Sequence, residues 1–181
     1  FSTIKRTYSP AVELFGCGNS AERNHIYDAP HTAIQFKGND MTIYGNDIYN
    51  VCYETADVGA IYSVRRWSWQ GNVVKNNFIH DLVSTGGIGS AAVYVDDLGS
   101  GVTMTENLFM NIPGYTTLFG GGRDHVITNN IQINSGNGKG FQYDDRGLGW
   151  AWYHAAGPDG ECYGELEALR ANPEYDKALW D

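Results

Sequence analysis

Basic residues are scarce. Twelve lysines and arginines stand against 21 aspartates and glutamates, so the 181-residue chain carries a formal net charge of −9 at pH 7. A surface of that sign repels phosphate, which argues against nucleic acid and against an anionic membrane as partners. No apolar run is long enough to span a bilayer, and no secretory signal stands at the first residues. The opening FSTIKRTYSP reads as mid-chain, so a fragment or processed piece of a longer protein is expected. Cysteine is sparse and odd in number: Cys17, Cys52 and Cys162. Three cannot make a disulfide framework, although one bridge can form, and no CxxC pair suggests zinc. Buried small apolar side chains are the simpler reading. Charged residues are only 18% and hydrophobic residues 42%, which excludes a disordered chain and leaves a globular one with a core.

Glycine and tyrosine are plentiful, at 23 and 12 residues, which suits short strands with frequent corners. Self-similarity is visible in TIYGNDIYNV (42–51), VVKNNFIHDL (73–82), TMTENLFMNI (103–112) and VITNNIQINS (126–135). Each carries an asparagine, then Asn or Asp four residues later. The first positions are Asn46, Asn77, Asn107 and Asn130, stepping by 31, 30 and 23 residues; the second are Asn50, Asp81, Asn111 and Asn134. A second series interleaves: AIQFKGND (33–40), AIYSVRRW (60–67), AVYVDDLG (92–99), TLFGGGRD (117–124) and GFQYDDRG (140–147).

Periods of this length, built from short strands and turns, mean the coils of a solenoid. The expected fold is all-β, a right-handed parallel β-helix, in one domain. Its coils cover about residues 10–147, and 148–181 form an aromatic loop with one or two short helices that cap an open end. YSPAVELFGCGN is expected to supply an earlier, irregular coil. In-register stacking lines Asn46, Asn77, Asn107 and Asn130 into an internal ladder of structural amides. Ile34, Ile61, Val93, Leu118 and Phe141 are the expected inward column, and Gln35, Tyr62, Tyr94, Phe119 and Gln142 an outward one. Beyond them come Lys37, Val64, Asp96, Gly121 and Asp144, with Arg66, Arg123 and Arg146 two steps further along.

The stretch AVYVDDLGSG (92–101) ends a strand in two adjacent acids, Asp96 and Asp97. Like charges side by side repel and need solvation, and adjacency pushes one pKa up, which suits a general acid. Asp57 lies 40 residues before Asp97, on a neighbouring coil, so the two are placed to face one cleft. Opposed carboxylates can break a glycosidic bond, one as acid and one as nucleophile or base. Arginines Arg66, Arg123 and Arg146 would orient a substrate, and Tyr62, Tyr94 and Trp67 would stack on it. Packing of this strip under the C-terminal tail is the non-functional alternative.

NHIYDAPHTAIQFKGND, CYETADVGAIY, RRWSWQGNVVKNNFIHD, AVYVDDLGSG, FGGGRDHVITNN and DDRGLGWA together resemble secreted bacterial β-helix proteins, over about residues 8–152. Glycoside hydrolase family 141, with fucosidase and xylanase activity on complex plant glycans, is the characterised group the chain resembles. The resemblance implies a retaining or inverting glycosidase, with Asp57 and either Asp97 or Asp96 as the catalytic pair. It also implies that Arg123 with Asp124, Asp145 with Arg146, and His31 line the cleft. The family usually has Gly-Arg-Asp-Trp where this chain has Val64-Arg65-Arg66-Trp67, so Arg66 reverses a local charge.

Two other functions compete. A polysaccharide lyase would use Arg66 and Arg123 to neutralise a uronate, and Asp96, Asp97, Asp144 and Asp145 could hold Ca2+, an oxygen-loving ion. A non-catalytic carbohydrate-binding or structural β-helix needs neither. The expected partner is a polysaccharide or oligosaccharide, with no nucleic acid and no membrane span. No cofactor beyond that calcium is called for, and the expected location is secreted, periplasmic or at the cell surface.

Overall fold

The computed structural model describes residues 2–5, 8–63, 66–83, 89–135, 140–144 and 163–171, the side chains at 165, 166, 169 and 170 apart. Three strands recur in fixed order, coil after coil. After β1 (Thr3–Lys5), the first coil is β2 (Val12–Cys17), β3 (Ser20–Glu22) and β4 (His25–Ala29). The second is β5 (Ile34–Asn39), β6 (Thr42–Tyr44) and β7 (Asp47–Val51); the third is β8 (Val58–Ser63), β9 (Asn72–Lys75) and β10 (Phe78–His80). The fourth is β11 (Ser90–Val95), β12 (Val102–Thr105) and β13 (Leu108–Met110); the fifth is β14 (Tyr115–Gly120), β15 (Val126–Thr128) and β16 (Ile131–Ile133). β17 (Phe141–Asp144) starts another turn, and α1 (Tyr163–Ala171) follows.

Equivalent strands pair in parallel along the axis. Sheet 1 runs β2-β5-β8-β11-β14-β17, sheet 2 β3-β6-β9-β12-β15, and sheet 3 β1-β4-β7-β10-β13-β16. This is the expected parallel β-helix. The N-terminal coil is regular rather than irregular, since β2 pairs with β5 at all six positions from Val12↔Ile34 to Cys17↔Asn39. The helix falls where helix formers cluster in the tail; the rest of 145–181 lies outside the described residues.

Corners between sheets 2 and 3 are two residues long in every coil, and their chemistry repeats. The first residue is left-handed (Arg23, Gly45, Asn76, Glu106 and Asn129, φ from 53° to 64°). The second is the ladder asparagine. Asn46, Asn77 and Asn107 each donate Nδ2 to the next Oδ1 at 2.9 Å, ending on Asn130, and their own backbone N–H groups share those oxygens. Each ladder amide also closes on a carbonyl one coil back, of Ala21, Ile43, Val74 and Met104 in turn. Corner backbone that forms no sheet is thereby satisfied without water. The ladder starts one coil earlier than the repeats suggest, at Asn24, which donates to Asn46 Oδ1 at 3.0 Å.

The second repeated position is a ladder too. Asp28, Asn50, Asp81, Asn111 and Asn134 are all left-handed, at φ from 46° to 54°. Asn50 bonds Asp28 and Asn111 bonds Asp81 at 2.6 Å, and Asn134 bonds Asn111 at 2.8 Å. Asn and Asp tolerate this conformation better than other residues bearing a Cβ.

Inside, Ile26, Ile48, Ile79 and Phe109 stack from sheet 3, and Ala21, Ile43, Val74 and Met104 from sheet 2, all buried. Sheet 1 contributes Ile34, Ile61 and Val93, with Thr117 and Phe141 completing the column. Leu118, expected inward, points outward instead. The fifth strand is slipped by one residue against the sequence alignment, which exchanges faces because side chains alternate.

Coils approach closely at Gly38, which pairs with Gly16. Its φ is +138°, and a Cβ there would overlap the Gly16 carbonyl. Gly38→Ala is therefore expected to cost about 2 kcal/mol or more, read as a lower urea midpoint, because neither backbone can move without breaking the ladder between them.

Candidate functional site

The outer face of sheet 1 carries the candidate residues. Its register places Glu13, Gln35, Tyr62, Tyr94, Leu118 and Gln142 in one outward column. Leu118 thus stands where Phe119 was expected; Phe119 pairs with Val95 and is buried in the core. By the same slip Gly120, not Gly121, is level with Asp144 in the next column.

Tyr62 and Tyr94 meet edge to face, with ring centroids 5.3 Å apart. Their hydroxyls reach the acids. Tyr62 Oη donates to Asp96 Oδ2 at 2.8 Å, and Tyr94 Oη donates to Asp57 Oδ1 at 3.1 Å. Tyr94 also acts on Asp96, favouring its charged form. The touching phenols therefore bring together two carboxyl groups whose chain positions are far apart.

Asp57 gets there by a sharp turn. It is left-handed (φ 59°) and its N–H donates to Gly89 O at 2.8 Å, which swings the side chain over the sheet from the corner preceding β8. Asp96 arrives from the other end, one residue beyond β11, and its N–H donates to Ser63 O. The turn behind it is tight: Gly99 N–H donates to Asp96 O, and Asp97 and Leu98 both have positive φ. This accounts for the adjacent acids. The Asp97 N–H bonds Asp96 Oδ1 at 2.9 Å, so the first carboxyl braces the turn made by the second residue.

The two acids brought together by the tyrosines sit in different media. Asp57 is exposed, whereas Asp96 is 7% exposed and Asp97 4%. Burial raises the Asp96 pKa above the ordinary value near 3.8; the charge of Asp97 adds to this, and the Tyr62 and Tyr94 hydroxyls oppose it. Burial, with the negative charge of Asp96, pushes Tyr62 far up, so its phenol remains a donor.

Tyr94 is not a stacking platform. At 2% exposed, its ring is enclosed with Ala91 and Leu118 and packed by Tyr62 and Tyr115. A ring whose faces are covered cannot accept a sugar, so its place here is to hold carboxyl groups. Trp67 and Arg66 are half-buried in the corner loop after β8, at the same edge of sheet 1 as Asp96 and Asp97. Arg123 occupies the equivalent corner after β14. Its Nε bonds Asp124 at 2.9 Å and its N–H bonds Ser100 Oγ. His31 sits at the opposite edge, in the same row of corners as Asp57, with its ring 6.3 Å from Tyr8. Burial lowers its pKa, and its Nδ1 has no hydrogen-bond partner among the described residues. Asp145 and Arg146 lie outside the described residues.

Among the described residues, no three His, Cys, Asp or Glu side chains group as a metal site. No described helix is long and apolar enough to cross a membrane. Cys17 and Cys52 are free thiols; Cys52 is buried, as read from sequence, but Cys17 is exposed beside Asp40, because its strand position points outward.

A second polar cluster escaped sequence reading. On the outer face of sheet 3, Tyr27 and Tyr49 stack at 5.2 Å and Tyr49 stacks on His80 at 4.9 Å. Asp47 and Asp81 bond the two nitrogens of His80 at 3.0 and 2.7 Å. Its signal was the aromatic or histidine three residues after the ladder asparagines Asn24, Asn46 and Asn77. These rings cover each other's faces, which makes the cluster a cross-strand staple rather than a binding surface.

No curated protein and no solved structure matches this chain. A family does match, over residues 10–150, under the description right handed beta helix region. With three parallel sheets, an axial asparagine ladder and that match across most of its length, the chain belongs to the right-handed β-helix family.

Proposed function

We propose that this β-helix is a glycoside hydrolase acting on a complex polysaccharide, with Asp96 as general acid and Asp57 as nucleophile or base. The observation that carries the reading is the pair of touching tyrosines, Tyr94 bonded to Asp57 and Tyr62 bonded to Asp96, which brings the two acids to one place on sheet 1. Burial raises the pKa of Asp96, which suits it to the role of acid, and the exposed Asp57 carboxyl is left for the other role. Asp96, whose pKa burial raises, in its protonated form gives its proton to the glycosidic oxygen as the C–O bond breaks. Asp57, open to solvent, attacks the anomeric carbon or takes a proton from attacking water. Asp96 rather than Asp97 is the partner of Asp57, because it is the Asp96 carboxyl that Tyr62 bonds, beside the Tyr94 that bonds Asp57.

The family hosts glycosidases, lyases and binding proteins. The resemblance to glycoside hydrolase family 141 favours the first, and favours a plant-type glycan and an extracellular setting. The test is product chemistry. Incubation with xylan and with fucosylated pectin is expected to release reducing ends without ultraviolet-absorbing unsaturated uronates. Unsaturated products would make it a lyase; no release from either glycan would remove the hydrolase reading.

A further inference from the structure

The outer column that contains Asp96 begins at two residues no function has yet claimed. Phe15 pairs with Lys37, Phe36 pairs with Ser63, and Ser63 pairs with Val95, so Phe15 and Lys37 lie in the column that holds Asp96 two coils further along the axis. At about 4.8 Å per coil, Lys37 lies about 10 Å from the level of Asp96.

At that end is an open groove of about 500 Å3, lined by Phe15, Lys37, Gly38, Asn39, Ser68 and Trp69 among others. Phe15 is 73% exposed, unlike the enclosed Tyr94. A large apolar ring left in water at a groove wall calls for an occupant. Between the aromatic walls the lining is polar, with Asn39 and Ser68, and Gly38 adds no side chain to fill it. Lys37 Nζ is held by Glu13 Oε1 at 2.6 Å, so the groove has no uncompensated charge from that pair to select an ion. Aromatic walls around a neutral hydrogen-bonding lining suit the flat apolar face and hydroxyl rim of a sugar ring.

We infer that the groove between Phe15 and Trp69 is a sugar-binding subsite for the polysaccharide whose bond lies at Asp57 and Asp96, the glycan running parallel to the solenoid axis. This rests on the hydrolase reading for what the chain does with the sugar, though not for its binding. Removing either wall therefore weakens hold on a long chain and leaves a one-sugar substrate unaffected.

The experiment compares the parent with Phe15→Ala, Trp69→Ala and Phe15→Trp. Affinity is read by electrophoresis in gels cast with xylan or fucosylated pectin, and turnover on the same glycans and on aryl xyloside and aryl fucoside. Both alanine variants are expected to lose affinity about tenfold, the size of a lost aromatic anchor. Phe15→Trp is expected to keep it, with aryl-glycoside turnover unchanged throughout. Turnover of the glycans with unaltered affinity in both alanine variants overturns the subsite and leaves the hydrolase standing. Affinity that falls with the alanines in a parent that cleaves nothing keeps the subsite and removes the hydrolase. A parent retarded by neither glycan, or a Phe15→Trp variant as weak as Phe15→Ala, also overturns the subsite.

Discussion

Asp96→Asn is expected to lower glycan turnover about a thousandfold while leaving the protein as stable at neutral pH as the parent, or more so. The amide keeps the shape of the carboxyl and still accepts the Tyr62 hydroxyl bond. It has no proton to give to a leaving oxygen, and losing a general acid typically costs between about 10² and 10⁴ in rate. Stability moves the other way. Burial raises the Asp96 pKa above its ordinary value near 3.8, so the folded protein holds that proton to higher pH than the unfolded chain. The contribution is fully present below pH 3.8 and is lost as pH rises through the folded pKa. Near neutrality the parent carries the cost of a buried charge that asparagine lacks. Turnover by the parent should likewise fall as pH rises through that pKa, since only the protonated form is the acid. Initial rates and urea midpoints, measured together across pH, separate the outcomes. Retained turnover with a lowered midpoint would make Asp96 a brace for its turn and nothing more. Asp57→Asn should match the rate loss.

The solenoid was legible because its corners are chemical. An asparagine followed four residues later by Asn or Asp has no rival reading once it recurs at coil spacing. RNHIYDA carries the same pair, Asn24 and Asp28, and could have extended the ladder by one coil. What alternation cannot resolve is a strand with apolar residues side by side. In TTLFGG, hydrophobicity puts Leu118 inside, whereas the register puts Thr117 and Phe119 there. The cost is a buried Thr117 hydroxyl with no hydrogen-bond partner among the described residues, a sacrifice that local pattern gives no reason to expect. The site was half legible for a related reason. The paired acids and the tyrosine column follow from stacking. Which acid faces which, and that Tyr94 is enclosed rather than exposed, depend on corner residues with positive φ whose direction no periodicity encodes. The groove at Phe15 went unread because its two walls come from coils one and three, joined only through the loop that carries Trp69.

Asn77→Ala should destabilise the protein by about 4 kcal/mol, more than any exposed substitution and a large share of a typical domain's total. Asn77 is 1% exposed at the middle of the ladder. Its Oδ1 accepts both the backbone N–H and the Nδ2 of Asn46, and its Nδ2 donates to Ile43 O and Asn107 Oδ1. Alanine removes all four bonds and leaves the Asn46 N–H orphaned where water does not reach. The neighbouring coils cannot close over the gap, because their spacing is fixed by the sheets on either side. Asn130 provides the control. It is only partly buried and has the same upstream bonds, from Asn107, but no described amide beyond it. Water can replace what alanine removes there, so Asn130→Ala should cost about 1–2 kcal/mol. In a solenoid each coil is held by its neighbours alone, so breaking the central link should also let the two halves unfold at different urea concentrations. Urea titration followed by tryptophan fluorescence and by far-ultraviolet circular dichroism reads both effects. A loss under about 1 kcal/mol, or one equal to that of Asn130→Ala, would mean that the ladder amides decorate the fold and the sheets alone hold it.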